Sequence, residues 1–268
     1  MTLGGRETAE TLARLGLEPR KALGQNFVVD PNTIERIVRL SGVTAGERVI
    51  EVGPGLGALT LGLADVGAEV TVLELDDALL PAITERTAGR GVKVIHGDAT
   101  SADWAVICPG EPWHMVANLP YNVGTSVVLD VLDDAPHITE LTVMLQREVI
   151  ERLAASPGSD AYGIPSVKVA FWATAEIVAR VPASVFLPRP KVESAVVRIS
   201  RLPQPAVDAD PDLVFSLVKQ AFGQRRKMLR KSLGGRVGAA TFEAAGVDPA
   251  QRPEQLDVHA WGRIANCL

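Results

Sequence analysis

Cysteine is scarce in this chain, and so is any pattern that would hold a metal. Two cysteines, Cys108 and Cys267, stand far apart, and the four histidines show no His-Glu-x-x-His or comparable ligand spacing. A metal enzyme is disfavoured, and the sparse thiols fit a reducing compartment. No apolar stretch approaches the length that crosses a bilayer. The N-terminal MTLGGRETAETLARLG is polar and lacks the apolar centre of a secretion signal. The starting expectation is a cytoplasmic enzyme or binding protein, not membrane-associated.

Net positive charge is missing too. The formal charge of −5 argues, taken alone, against a nucleic-acid partner. A net value averages over distribution, however. From Lys219 to Arg236 the run KQAFGQRRKMLRKSLGGR contains Lys219, Arg225, Arg226, Lys227, Arg230, Lys231 and Arg236 without one acid. Most charge runs are solvated helix faces. This one has no acids at i+4 spacing to compensate it, so it reads as a face that meets phosphate.

At 268 residues the chain can form one large domain or two unequal ones. Residues 1–20 read as a loose tail or short helix. In VVDPNTIERIVRLSGV, Asp30 is placed to cap a helix with Pro31 in its first turn and Ile34, Ile37 and Val38 on one face. The apolar segments RVIEVG, AEVTVLEL, VKVIHGD and HMVANL then alternate with helical or loop segments, followed by ITELTVML and the amphipathic QREVIERLAA. That rhythm predicts an α/β domain with a mostly parallel sheet covered on both faces. SVKVAFWAT, AEIVARV and ESAVVRIS read as further strands, added antiparallel. RLPQPAVDADPD reads as a linker, and residues 211–268 show helical periodicity only. The expected division is a tail (1–20), an α/β domain (21–202) and a small all-helical domain (203–268).

VIEVGPGLGALTLGLADVG sets Gly53, Gly55 and Gly57 between an apolar strand and a helix. Glycines permit a tight turn and let the backbone approach a ligand at a helix N-terminus. Gly53-x-Gly55-x-x-Ala58 satisfies a dinucleotide fingerprint. Glu51-x-Gly53-x-Gly55-x-Gly57 fits a class I methyltransferase better, and a merely structural turn stays open. The next strand ends at Glu74, whose carboxylate suits the two hydroxyls of a ribose. The third ends at Asp98, suited to an adenine amino group, and the fourth at Asn118 in NLPYN. Each has a bland reading as a loop acid or turn former. Together they are harder to dismiss, because open α/β sheets bind ligands beyond the carboxyl ends of their strands.

KALGQNFVVD, EVGPGLGALT, NLPYN, QREVIERL, YGIPSVKV, VFLPRPKVES and AFGQRRKMLRKSL occur in that order. In this the chain, from about Lys21 to its C-terminus, resembles the small-subunit ribosomal RNA adenine dimethyltransferases, the bacterial family linked to kasugamycin sensitivity. Departures are small: Val28 stands where leucine is usual, and Gly223 replaces a more polar residue. The resemblance implies a class I, Rossmann-like methyltransferase fold with S-adenosylmethionine as donor. It implies dimethylation at N6 of two adjacent adenosines in the 3′-terminal hairpin of 16S rRNA, within the small subunit or its precursor; a monomer is the default expectation. Cofactor contacts would come from Gln25, Asn26, Val28, Glu51, Gly53, Gly55, Gly57, Glu74, Leu75, Asp98, Ala99 and Asn118.

The chemistry agrees with those residues. An exocyclic adenine amine is a poor nucleophile because its lone pair is delocalised into the ring. The Asn118 side-chain carbonyl and the Leu119 main-chain carbonyl could accept from its two N–H groups. Pro120 would stiffen the turn, and Tyr121 and Phe186 would stack on the base. The basic run, helped by Arg147 and Arg152, would contact RNA phosphates. Competing readings are a 23S rRNA adenine methyltransferase of the macrolide-resistance type, an assembly or RNA-binding factor with incidental transfer, and a nicotinamide oxidoreductase suggested by the glycine loop alone.

Overall fold

The computed structural model describes residues 4–110 and 112–268, so residues 1–3 of the expected tail lie outside the described residues. Two compact units emerge. One comprises Met1–Ile150 with Glu176–Ser200, the other Glu151–Ala175 with Arg201–Leu268.

The first unit is built on strands β1 (Phe27–Val28), β2 (Arg48–Val52), β3 (Glu69–Glu74), β4 (Lys93–His96), β5 (Trp113–Asn118), β6 (Ile138–Gln146), β7 (Ala173–Val181), β8 (Phe186–Leu187) and β9 (Ser194–Arg201). Seven of them form one sheet in the order β4-β3-β2-β5-β6-β9-β7, while β1 and β8 pair antiparallel on their own. From β4 through β6 the neighbours are parallel. β9 then runs antiparallel to β6, Met144 opposite Val196. The central strands are apolar on both faces: Val49, Ile50, Met115, Val116, Ala117 and Val143 are all at most 1% exposed. That is the burial a helix-covered parallel sheet demands.

Chain order makes the sheet functional. From β2 the chain steps outward through β3 to β4, then returns to β2's other side with β5. The order therefore reverses between β2 and β5, and their carboxyl ends open a crevice.

The helices of this unit are α1 (Gly5–Leu15), α2 (Pro31–Ser41), α3 (Ala58–Asp65), α4 (Leu80–Thr87), α5 (Trp104–Ile107) and α6 (Gly124–Asp134); α7 (Arg147–Leu153) spans the division between units. α2 starts as its sequence predicts. Asp30 accepts from the Thr33 amide at 2.9 Å, Pro31 sits in the first turn, and Ile34 and Ile37 are each 1% exposed.

The second unit holds α8 (Ile164–Trp172), α9 (Pro211–Phe222), α10 (Leu229–Ser232), α11 (Ala239–Ala244) and α12 (Val258–Asn266). Three sequence expectations change here. SVKVAFWAT is not a strand: residues 164–172 are α8. Alternating Val167, Val169 and Phe171 suit either period over so short a run. The deciding signals lie upstream, where Pro165 occupies the first turn and Ser166 Oγ accepts from the Gly163 amide at 3.0 Å. The helical unit also starts earlier than residue 203, because α8 supplies part of its core. Phe171 meets Phe215 at 5.1 Å between ring centroids, and Tyr162 donates its hydroxyl to the Leu256 carbonyl at 2.9 Å. Nor is RLPQPAVDADPD a free linker. The Ala206 amide bonds the Phe171 carbonyl at 2.8 Å, and Val207 lies where a β-carbon on Gly262 would come within 2.9 Å.

Candidate active site

The crevice beyond β2 and β5 is a cleft of about 1120 Å³, its mouth included. Its walls come from the β2–α3 turn, the ends of β3, β4 and β5, and residues 23–28. The expected Gln25, Asn26, Val28, Glu51, Gly53, Gly55, Glu74, Leu75, Asp98, Ala99, Asn118, Leu119, Pro120 and Tyr121 all line it.

The glycines divide by role. Gly55 has φ +57°, and a β-carbon there would come within 2.9 Å of the Phe27 ring. Its bareness lets residues 23–28 close over the turn. Gly57 does not line the cleft. It precedes α3 with φ +83°, and a β-carbon would strike Ile83 at 2.5 Å, so it serves packing.

Buried Glu51, Glu74 and Asp76, with exposed Asp98, shape the polar side. Glu74 accepts the Gly55 amide at 3.1 Å on one oxygen and the Asp76 amide at 2.8 Å on the other. Each carboxylate oxygen keeps a lone pair for an incoming hydroxyl. Burial raises its pKa above the ordinary carboxylate value, against those two amides. Asp76, which sequence reading missed, takes Arg20 Nη1 at 2.9 Å and Gln25 Nε2 at 2.7 Å. It thereby fastens the LGQNF segment to the end of β3. Its only signal was its place two residues after Glu74. Asp98 is exposed and accepts both the amide and the hydroxyl of Thr100 at 2.8 Å, so it forms a turn while lining the cleft.

Glu51 is 2% exposed and accepts from Thr60 Oγ1 at 2.6 Å. Burial pushes it up to about 8, with repulsion from Glu74 adding to the rise. A raised carboxyl is protonated in the fold at pH values where the unfolded chain has already lost its proton. The stability linked to it is complete below the unfolded value near 4.3 and is lost as pH rises through about 8. The ligand-free Glu51→Gln variant, unable to ionise, should match wild type at pH 4 in thermal unfolding. At pH 8.5 its Tm should lie higher by on the order of 10 °C.

Asn118 closes β5. Its Nδ2 donates to the Asn26 carbonyl at 3.0 Å, which fixes the amide's orientation. Its Oδ1 is buried and has no hydrogen-bond partner among the described residues. A buried carbonyl left unpaired is costly, so its partner is expected from a ligand. Half-buried Tyr121 is steadied by a 2.6 Å hydrogen bond between its hydroxyl and Ser194 Oγ, and burial pushes its phenol upward. Phe186 does not join this group. It is 3% exposed, pairs with Val28 across the β1–β8 ladder, and packs in the core with Val181 and Val196. Its ring is packed in the core of the first unit.

In the helical unit, Lys219, Arg226, Lys227, Arg230 and Lys231 are exposed, and none has an acid within ion-pair distance among the described residues. Arg225 differs: it donates to the Asp160 carbonyl at 2.9 Å and lies 4.0 Å from Glu254. Arg147, in the first unit, pairs with Glu193 at 2.9 Å. The Arg152 carbonyl accepts from Ser166 Oγ at 2.6 Å in the second.

A parallel sheet with a glycine turn after β2, an acid closing β3 and a crevice at the strand reversal define a class I methyltransferase, which takes its methyl group from S-adenosylmethionine. The family model described as ribosomal RNA adenine dimethylase matches residues 16–268, and the chain belongs to that family of methyltransferase enzymes. The ribosomal RNA small subunit methyltransferase A of Cutibacterium acnes is 47% identical over 271 residues, covering 95% of this chain and 90% of that protein. Its namesake in Kineococcus radiotolerans is 44% identical, covering 98% and 90%. Among solved structures, the 23S rRNA methyltransferase ErmE is 28% identical with a TM-score of 0.67, covering 90% of this chain and 99% of its own. A dimethyladenosine transferase from Plasmodium falciparum shares the fold, with a TM-score of 0.74 at 20% identity and coverage of 88% and 94%. Membership sets aside the nicotinamide reading of the glycine loop. Among the described residues, no helix is long and apolar enough to cross a membrane.

Proposed function

We propose that this enzyme dimethylates the N6 amines of two adjacent adenosines in the 3′-terminal hairpin of 16S rRNA, acting as a cytoplasmic monomer on the small subunit or its precursor. The observation that carries the reading is the unpartnered Asn118 Oδ1 at the end of β5, inside the cleft. The relatives at 47% and 44% identity bear small-subunit names, whereas ErmE, a large-subunit enzyme, stands at 28%.

S-adenosylmethionine supplies a methyl group activated by a positive sulfur. Glu74 and the backbone of the glycine turn would hold it, with Leu75 and Ala99 offering apolar surface and Asp98 a polar edge. Asn118 Oδ1 and the Leu119 carbonyl would accept the two N–H groups of the adenine amine. Those bonds draw the lone pair out of conjugation and aim it. Pro120 cannot donate a competing amide, and the Tyr121 ring would support the base from its face. No strong base is needed, because the amine would attack before losing its proton. The N–C bond would form as the S–C bond breaks, S-adenosylhomocysteine would leave, and the proton would pass to water afterwards. Positioning and electrostatics would supply the acceleration. A base must leave its stack to enter such a cleft, which favours loop nucleotides over paired ones.

The test is methylation of purified unmodified small and large ribosomal subunits with labelled donor, followed by mapping of the label. Label on neighbouring adenosines of small-subunit RNA is the expected result. Label confined to large-subunit RNA would replace this reading with the macrolide-resistance one, and no label on either would leave only an assembly factor.

A further inference from the structure

α1 lies ahead of residue 16, where the family match begins. Near its start, Thr8 is 1% exposed and lines the cleft. Its Oγ1 is buried with no hydrogen-bond partner among the described residues. Other threonines in the first unit behave differently. Thr11, one turn later, donates to the Glu7 carbonyl at 2.8 Å, and Thr87 does the same to Ile83 at 2.7 Å. Closing back on the carbonyl four residues earlier is the ordinary recourse of a helical threonine. Thr8 forgoes it, and an unpaired buried hydroxyl destabilises the fold unless something else completes it.

The helix is held firmly enough to give that hydroxyl a defined place. Leu12, four residues on and so on the same face, packs with Phe27, Leu56 and Leu79. Arg86 of α4 donates to Thr11 Oγ1 at 2.6 Å and pairs with Glu7 at 3.6 Å. Leu56 and Leu79 both line the cleft with Thr8. One follows the Gly55 turn; the other follows the Glu74–Asp76 corner.

We propose that Thr8 is a cofactor-binding residue, its hydroxyl hydrogen-bonding a polar group of S-adenosylmethionine on the side of the cleft bounded by Leu56 and Leu79. α1 is then a wall of the cofactor site rather than a tail. The inference rests on the cleft being the cofactor's, so the experiment reads both.

The full chain is titrated calorimetrically with S-adenosylmethionine and with S-adenosylhomocysteine, as wild type, Thr8→Val and Thr8→Ser, with a thermal melt of each ligand-free protein. Valine keeps the shape and removes the hydroxyl. Affinity for both ligands should fall about five- to tenfold in Thr8→Val and stay within about twofold in Thr8→Ser, the range of one neutral hydrogen bond. The ligand-free Thr8→Val protein should melt no lower than wild type, because the group removed had no partner. Wild-type affinity in Thr8→Val would overturn the proposal, as would a lowered melt in the ligand-free variant, which would mean the hydroxyl is bonded within the fold. A wild-type chain that took up neither ligand would overturn the cofactor reading itself, and Thr8's role with it.

Discussion

Asn118→Ala is expected to lower kcat for methyl transfer by about 10³-fold while S-adenosylmethionine affinity changes by less than about fivefold. The variant removes two things of unequal consequence. Loss of Nδ2 frees the Asn26 carbonyl from a 3.0 Å bond, but residues 23–28 remain fastened through Gln25 and Arg20 on Asp76, so the cleft should keep its wall. Loss of Oδ1 removes the acceptor that has no partner in the fold. That contact forms only when an amine arrives, which is why its removal should show in kcat rather than in stability. Asn118→Asp separates the two effects. It keeps an acceptor but turns a second oxygen toward the Asn26 carbonyl, so donor affinity should suffer as well as turnover. Steady-state kinetics beside calorimetry would check both, and an Asn118→Ala enzyme with wild-type kcat would eliminate the acceptor role.

Much of this cleft was legible beforehand because it is made from strand ends. Where an apolar run stops on Gly53, Glu74, Asp98 or Asn118, a parallel sheet places the stop at one edge. The reversal between β2 and β5 then gathers the stops together. What escaped sequence reading depends on packing instead. Phe186 reads in the sequence as a ring free to stack on a base. Its burial against Val28 and Val196 depends on β1 pairing with β8, a contact between residues nearly 160 positions apart. Arg225 belonged visually to the basic run, yet the Asp160 carbonyl that holds it lies 65 residues upstream. The α8 segment was a period ambiguity, resolved by Pro165 and Ser166 rather than by its apolar residues. Asp76 matters through two side-chain hydrogen bonds made and Thr8 through one missing, which no spacing rule announces.

The same distinction sets the outcome for the basic run. Replacing Arg226, Lys227 and Arg230 together with glutamine should weaken RNA binding by about 10- to 100-fold at ~0.1 M salt and make the dependence of log affinity on log salt shallower by about 2. These three side chains are exposed, and no acid pairs with them among the described residues, so removing them should disturb little inside the helical unit. A phosphate contact releases counterions and reads no sequence, so the loss should be similar for any RNA of like length. Arg225→Gln should behave in the opposite way. Its bond to Asp160 ties the turn after α9 to residues ahead of α8, so the variant should melt lower while keeping most of the wild-type salt slope. Filter binding across a salt series, beside thermal melts, reads both quantities. A triple variant with the wild-type slope would leave the run as a solvated face, and the RNA contacts would then have to be sought on the first unit, around Arg147 and the mouth of the cleft.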